Sequence, residues 1–371
     1  MTAVASLTDQ AGGERRPQEA AHEVPSRRIT VTTLTPVLNE ERHIRATVAA
    51  LQAQEVAAEA EFIFIDGRST DGTRTILEEL AARDERIRIL DNRQGQTASA
   101  LNIGLRTARG EYVARIDAHT RYPPRYLSRG IERLQGGDVD WVAGPQIPVG
   151  TDTWSRRVAI ALGSRLGTGS TNRWDRDVRE RGGAEVELGT SVFAGVWRRV
   201  TLERDGGWDE GWPINQDAEM ASRVLRRGGR IVSLPELGAE YVPRSSLRAL
   251  ARQYRGYGMY RAKTALRHPR TVGARHVVLP GIVAAPAASV AAPRAVRLAG
   301  RTVLAAYAVG VLVESARAGT NPRDKLALPL VFVTMHLSWG GGLLLGLVRF
   351  AKPSARRAGL AADLMECPGE G

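Results

Sequence analysis

Cysteine is nearly absent from this 371-residue sequence: the only one is Cys367, close to the C-terminus. Neither a disulfide framework nor a thiolate zinc site can therefore support the fold, and a reducing compartment is the simpler expectation. Residues 1–28 lack an apolar core and carry four acids and four arginines. That stretch reads as a disordered leader with no signal peptide, and folded structure is expected to start near Ile29. No G-x-G-x-x-G follows the first strand pattern, and no Walker A sequence occurs anywhere. Dinucleotide-type and P-loop-type phosphate grips are excluded on that ground. A bound nucleotide has to be gripped by carboxylates and loops, which favours a metal-bridged diphosphate.

Acids are also missing from residues 244–276, which hold nine Arg or Lys and run straight into the apolar stretch 277–293. The net charge of +12 concentrates beside apolar segments, and no groove-reading motif accompanies it, so nucleic acid is not the expected partner. A basic stretch next to a long apolar one fits the anionic face of a membrane; a solvated basic helix is the alternative. Residues 326–348 form a 23-residue run without Asp, Glu, Lys or Arg, bracketed by Lys325 and Arg349. At roughly 20 residues per crossing that length spans a bilayer. Residues 277–293 are shorter and contain Pro280, Pro286 and Pro293, while 302–313 is marginal unless Arg301 and Glu314 snorkel. Arg349, Lys352, Arg356 and Arg357 favour a cytoplasmic C-terminus and an even number of crossings. The three apolar segments argue for an odd one, unless one of them is re-entrant.

What is present upstream is a regular alternation. Ile29–Leu34 has the β-branched pattern of a buried strand that breaks at Pro36, and Asn39 is placed to cap a helix with Ile44, Val48 and Leu51 on one face. A second strand ends at Asp66, and Ser69–Thr73 turns into a helix bearing Ile76, Leu77 and Leu80. A third strand and helix follow, and then a fourth strand, "EYVARIDAH", after Gly110. Strands and helices at this spacing predict an α/β fold: an open, mainly parallel sheet covered by helices, with its ligand crevice beyond the C-terminal strand ends. Thr35, Asn39, Asp66, Asp71, Asp117 and His119 all fall at or just after such ends.

Asp66 is placed to project from the sheet edge towards a base or ribose, and Asp71 either caps the next helix or completes that pocket. Asp117 and His119 are two residues apart, so an extended chain would put both side chains on one side. They can then share a divalent ion, or the histidine simply bonds to nearby backbone. Asp217 lies at the N-terminal end of a helix, where unpaired N–H groups and the helix dipole favour an ionised carboxylate. Such a group can take a proton from an acceptor hydroxyl, or merely cap the helix. Glu219 either orients an acceptor or bridges to Arg223. Trp208 and Trp212 would suit a sugar ring, or belong to the core. Gly189 and Thr190 lie in a loop of small residues that lets a substrate approach the backbone. Gln253, Tyr254, Arg255 and Tyr257 sit in the basic stretch, where arginine can offset diphosphate charge or face lipid.

In combination, "TPVLNE" at 35–40, "DGRSTDGT" at 66–73, "DAH" at 117–119, "GTSVFAG" at 189–195 and "QDAE" at 216–219 followed by Arg223 resemble the inverting family 2 glycosyltransferases. The resemblance covers roughly residues 29–270. It implies a GT-A fold followed by C-terminal transmembrane helices, and a sugar, glucose in the first instance, moved from a UDP-linked donor. The "MHLSWGGG" at 335–342 is similar to membrane-bound bacterial members that extend a lipid-linked exopolysaccharide repeat alongside other assembly proteins. Residue by residue, it implies that Pro36, Asn39, Asp66 and Asp71 line the nucleotide pocket, with Asp117 on the ribose or phosphate side. Asp117 and His119 would hold Mn²⁺ or Mg²⁺, and Asp217 would be the general base. Gly189, Thr190, Glu219, Gln253 and Arg255 fall on the acceptor or diphosphate side.

Three departures stand out. His119 replaces the usual metal-binding aspartate, which removes a negative charge and makes metal affinity sensitive to protonation. Gln216 replaces the acid that commonly precedes the base. Gly256 stands three positions after Gln253 with no Trp following, unlike the Gln, Arg, Trp signature of processive members, so transfer of one sugar is expected. On this reading the chain divides into a leader (1–28), a catalytic domain (29–243), a basic juxtamembrane region (244–276), a membrane region (277–348) and a tail (349–371). The catalytic domain would lie on the cytoplasmic side of a bacterial inner membrane. A transferase acting on polyprenyl phosphate, and a non-catalytic membrane-anchored assembly subunit, are the alternatives.

Overall fold

The β-branched run at the start of the domain forms β1 (Val31–Val37), which is buried nearly throughout and lies between two parallel neighbours, β2 (Ala60–Asp66) and β4 (Tyr112–Arg115). The computed structural model describes residues 29–168, 183–190, 194–273 and 275–351. The expected leader, the tail residues Lys352, Arg356, Arg357 and Cys367, and positions 191–193 of the glycine-bounded loop lie outside the described residues. Outside β2 lies β3 (Ile87–Asp91), also parallel. The helices α1 (Ile44–Gln52), α2 (Thr73–Ala81) and α3 (Thr97–Thr107) connect these strands. Because the chain runs β1, β2, β3 outward on one side and returns to place β4 on the other, the ends of β1 and β4 form a switch point where a crevice opens.

Two strand boundaries differ from expectation. Pro36 does not end β1; it stays in register opposite Ile65. It faces the same side as Leu34, whose carbonyl accepts from Ile116 N–H. Pairing with β4 ends at Leu34 opposite Arg115, so the missing N–H of Pro36 leaves no ladder bond unmade. The fourth strand, in turn, stops at Arg115. Thr120 N–H donates to Asp117 C=O at 3.1 Å, closing a turn through Ala118 and His119. The chain is therefore not extended across Asp117–His119, and the two side chains diverge.

After β5 (Thr120–Arg121) come α4 (Tyr126–Gln135), β6 (Trp141–Ala143), β7 (Gln146–Pro148), α5 (Thr153–Leu162), α6 (Arg165–Thr168) and β8 (Val186–Glu187). Then β9 (Gly195–Arg198) enters antiparallel between β4 and β6, so that its first residue, Gly195, pairs with Arg115 at the crevice edge. Gly195 has φ 140°, and a Cβ there would lie 2.1 Å from Trp141 Nε1; only glycine fits. Following α7 (Arg199–Arg204) and α8 (Gln216–Arg226), β10 (Ile231–Ser233) pairs parallel with β6. The large sheet reads β3-β2-β1-β4-β9-β6-β10-β8, and β11 (Ala239–Tyr241) joins β5 and β7 in a small second sheet.

Trp208 and Trp212, expected as a possible sugar platform, are core residues instead, exposed by only 1% and 4%. Trp197 packs between Trp141, tilted against it, and Trp208, edge-on to it, at centroid distances of 5.0 and 5.7 Å. Trp212 donates to Thr264 Oγ1 at 3.0 Å and lies under Lys263 Nζ. Aromatic bulk near a loop was the only signal the sequence offered, and burial of their large apolar area decided it.

Beyond the sheets run α9 (Leu247–Arg267), α10 (Arg275–Ala291), α11 (Arg294–Ala318) and α12 (Pro322–Phe350). Of these, α11 and α12 are long and apolar enough to cross a membrane, whereas the apolar part of α10 is shorter and holds Pro280 and Pro286 inside the helix. The marginal stretch 302–313 thus lies inside one continuous 25-residue helix. The helix α12 also packs on the α/β part of the chain. Its Leu328, Val331, Phe332 and Met335 share a core with Val158, Ile160 and Leu162 of α5, and the buried Asp324 takes a hydrogen bond from Arg157 Nε at 3.1 Å. Further along, Gly258 of α9 rests against Trp339 C=O, and Gly342 and Gly346 rest against the backbone of Arg255 and Met259.

Candidate active site

Four elements bring carboxylates to the crevice. The loop after β1 carries Asn39 and Glu40, the end of β2 and the loop after it carry Asp66 and Asp71, the turn after β4 carries Asp117 and His119, and α8 carries Asp217 in its first turn. Among the described residues four non-glycine positions have positive φ: Asn39, Arg68, Ala194 and Asn215. All four lie in loops bordering these elements, where an uncommon backbone shape is held by its surroundings.

Asn39 does not cap α1, whose cap position is His43. Its left-handed backbone turns the side chain across to the second loop, where Oδ1 accepts from Thr70 N–H at 2.8 Å, and its own N–H donates to Ser69 Oγ at 3.0 Å. Asp66 accepts from Ser69 N–H and Oγ–H through Oδ1. Asp71 accepts from Thr73 N–H and Oγ–H and from Glu41 N–H. The Thr73 hydroxyl is the main cause that holds the Asp71 carboxyl below its usual range. Asp71 therefore ties the two loops together at the start of α2. Beside them a cleft of about 390 Å³ is lined by Asp66, Arg68, Asp91 and Arg93, and Asp66 pairs in register with Asp91 across β2 and β3.

At the switch point Arg115 organises the acids. Its side chain is 6% exposed, while Asp117 and Asp217 keep 14% and 13%, so the guanidinium lies behind two carboxylates that reach the surface. It donates through Nε and Nη2 to Asp117 at 2.9 and 3.1 Å, and through Nη1 to Asp217 at 2.6 Å. Burial opposes this charge, and the carboxylates of Asp117 and Asp217 more than offset it, so the guanidinium stays protonated. His119 turns the other way, its Nδ1 3.0 Å from Glu40 Oε1. That hydrogen bond raises the imidazole above its ordinary range against partial desolvation. Asp117 N–H donates to the Tyr122 hydroxyl at 3.1 Å, fixing the turn.

Arg115 was not a candidate from sequence. A signal was present, since a lone arginine inside the apolar strand Tyr112-Val-Ala-Arg-Ile must be paired if it is buried. What no spacing rule exposes is that one of its partners stands 102 residues away.

Other candidates lie elsewhere. Glu219 is fully buried and does not face the crevice. Its carboxylate pairs with Arg223 on the same helix, with Arg267 at 3.9 Å and with His268 Nε2 at 3.4 Å, joining α8 to the end of α9. Of its two readings, the bridge is the one the structure contains. Burial pushes this carboxyl up, and the His268 hydrogen bond with the Arg223 and Arg267 charges outweighs it, leaving it below the ordinary range. Its folded pKa lies below the unfolded one, so its contribution to stability is present above pH 4.5 and is lost as pH falls through the folded value. Glu219→Gln should lower stability by about 3 kcal/mol at neutral pH by stranding buried arginines. The gap to wild type should narrow below about pH 4, read from unfolding transitions across pH. Gln253 Nε2 donates to the Tyr241 hydroxyl at 3.3 Å, and Arg255 is exposed on α9; neither is brought into the Arg115 cluster. Gly189 is exposed and Thr190 half-buried, just before positions outside the described residues.

A mixed α/β sheet with carboxylates at its switch point can host many chemistries, and similarity to known proteins identifies the class. Residues 32–200 match the family model for glycosyl transferase family 2. The chain is 34% identical over 321 residues to the succinoglycan biosynthesis protein ExoA of Rhizobium meliloti, covering 85% of this chain and 94% of that protein. It belongs to the family 2 glycosyltransferases. A shorter match, 31% over 137 residues, covers 36% of this chain and 41% of the undecaprenyl-phosphate 4-deoxy-4-formamido-L-arabinose transferase of Aeromonas hydrophila. Among solved structures, the mannosyltransferase PcManGT of Pyrobaculum calidifontis, determined with GDP-Man and Mn²⁺, superposes with a TM-score of 0.55. It is 20% identical, over 87% of this chain and 88% of that one, and the likeness speaks for the fold.

Proposed function

We propose that this glycosyltransferase moves a hexosyl group, glucose in the first instance, from a UDP-sugar to a lipid-linked saccharide during exopolysaccharide assembly at a membrane. The observation that carries the reading is the pair of surface-reaching carboxylates, Asp117 and Asp217, held on one buried guanidinium at the switch point. One stands on the donor side of the crevice, near the loops of Asn39, Asp66 and Asp71, and the other at a helix N-terminus. Asp217 takes the proton of the acceptor hydroxyl as that oxygen bonds to the anomeric carbon. The bond from that carbon to the diphosphate breaks, UDP leaves with the electron pair, and configuration inverts. The likeness to a protein of succinoglycan synthesis supports the lipid-linked saccharide as acceptor.

The residue types at the switch point suit a divalent ion, with Asp117 on one side of the turn and the His119–Glu40 pair on the other, so an ion would be held by one side together with substrate phosphates. Asp117 and Glu40 offer hard oxygens, and His119 an imidazole that suits Mn²⁺ better than Mg²⁺. Among the described residues no group of three His, Cys, Asp or Glu could hold an ion by itself, so an ion here would need substrate phosphates to complete its sphere. When bound, the ion offsets charge on the departing diphosphate. His119→Asp should lower the Mg²⁺ concentration needed for UDP binding about tenfold, measured by calorimetry; an unchanged ion response would show that the imidazole only packs on Glu40.

Membrane association rests on α11 and α12. Val303, Val309, Leu312 and Val313 of α11 and Leu326, Leu337, Leu345 and Val348 of α12 are exposed, a surface that acyl chains would cover. The catalytic part would then face the cytoplasm of a bacterial cell. Membranes containing the protein, given a panel of labelled nucleotide sugars and lipid extract, should render one UDP-sugar label lipid-bound. Label retained only in a water-soluble product would sink the proposed acceptor.

A further inference from the structure

We propose that Arg115 is a positioning residue that sets the spacing between the donor-side carboxylate of Asp117 and the base Asp217. The inference rests on the base assignment above. It stands on geometry: one planar group donates to Asp117 from its Nε and Nη2 edge and to Asp217 from Nη1, at 2.9, 3.1 and 2.6 Å. A guanidinium has no internal rotation that would let these edges drift apart, whereas a lysine ammonium is a point on a flexible stem.

The placement of the residue explains why an arginine is needed. Asp117 follows β4, and Asp217 opens α8, whose Met220, Ala221 and Val224 share a core with Trp197 of the inserted strand β9 and Trp141 of β6. No backbone ladder joins the turn to the helix. Arg115, the last residue of β4, is held by Leu34 on one side and Gly195 on the other, so its Cα is fixed by the sheet itself. The side chain transmits that position to both acids. It also lies between two negative charges that would otherwise push each other apart in a partly desolvated crevice.

In-line displacement requires the acceptor oxygen and the leaving oxygen on opposite faces of the anomeric carbon. The base and the donor-side carboxylate must therefore keep a fixed separation, and small errors in it cost rate steeply. Arg115 touches neither the sugar nor the acceptor in this role; it acts through the two acids.

The test uses the full-length protein in membranes or detergent. Arg115→Lys keeps the charge and removes the fork. It should lower kcat about 100-fold and weaken Mn²⁺ affinity of the UDP-bound protein about tenfold. In the Asp217→Asn background, at saturating Mn²⁺, Arg115→Lys should lower kcat little further, because the spacing it sets is to a base that is no longer there. Wild-type kcat and ion affinity in Arg115→Lys would overturn the proposal, as would a large further loss in the double variant. If Asp217→Asn alone keeps its activity, the base assignment fails, and that result is separate from the ion affinity of Arg115→Lys. Asp217→Ala removes the far end of the bridge without altering position 115. It should weaken Mn²⁺ affinity about threefold through the loosened guanidinium; an unchanged affinity overturns the bridge even if position 115 tolerates no substitution.

Discussion

Asp217→Asn should cut sugar transfer by about 10³-fold, or about 4 kcal/mol of transition-state stabilisation, while UDP affinity stays within about threefold. The reason is local. Asparagine still accepts from Arg115 Nη1, whose bond to Asp217 Oδ1 is 2.6 Å, so the crevice keeps its shape and only the proton acceptor is lost. The measurement is kcat with a saturating lipid-linked acceptor, alongside calorimetric titration with UDP. An acceptor that is already an anionic phosphate needs little help from a base. Substantial residual transfer in the asparagine variant would therefore turn the reading towards a polyprenyl-phosphate acceptor, a chemistry for which the Aeromonas hydrophila protein is named.

The second large effect is expected far from the crevice. Gly258→Leu should separate α9 from α12 and abolish transfer, with a stability loss of about 3 kcal/mol or more. A Cβ at this position would lie 2.0 Å from Trp339 C=O and 2.8 Å from Leu343 N. Both contacts are backbone, so no rotamer change relieves them. The neighbouring residue Tyr257 offers its carbonyl to Asn215 Nδ2 at 2.8 Å, and Asn215 is the left-handed residue from which α8 and Asp217 start. Displacing α9 therefore moves the base. The donor loops make no use of this seam, so UDP binding should persist in the variant. Simultaneous loss of both would mean that the helix pair holds the whole domain and not the base in particular.

How much of this was legible in the sequence can be judged from single residues. The alternation of strands and helices gave the first half of the sheet, because each element has a periodic apolar face of its own. Asp66, Asp71, Asp117 and Asp217 stood out because acids at strand ends and helix starts follow a positional rule. Asn39 illustrates the limit. Its residue type promised a helix cap, but the positive φ at this position sends the side chain to Thr70, 31 residues on. Glu219 shows the same limit from the other side: its i+4 partner Arg223 was visible, whereas Arg267 and His268 come from a helix whose docking no local pattern encodes. The insertion of β9 between β4 and β6 was invisible for the same reason, and with it the surroundings of Arg115.

The cross-links between the first two loops carry a thermodynamic consequence. Asn39, Ser69, Thr70, Asp71 and Glu41 are joined from one loop to the other by hydrogen bonds within the chain itself. The ordering of these loops is met during folding and not when the nucleotide arrives. Donor capture should then show a small entropic penalty and a heat of binding that varies little when the loops are further stiffened. Asn39→Gly, which keeps the left-handed backbone but deletes the link to Thr70, would transfer that penalty from the folding equilibrium to the binding equilibrium.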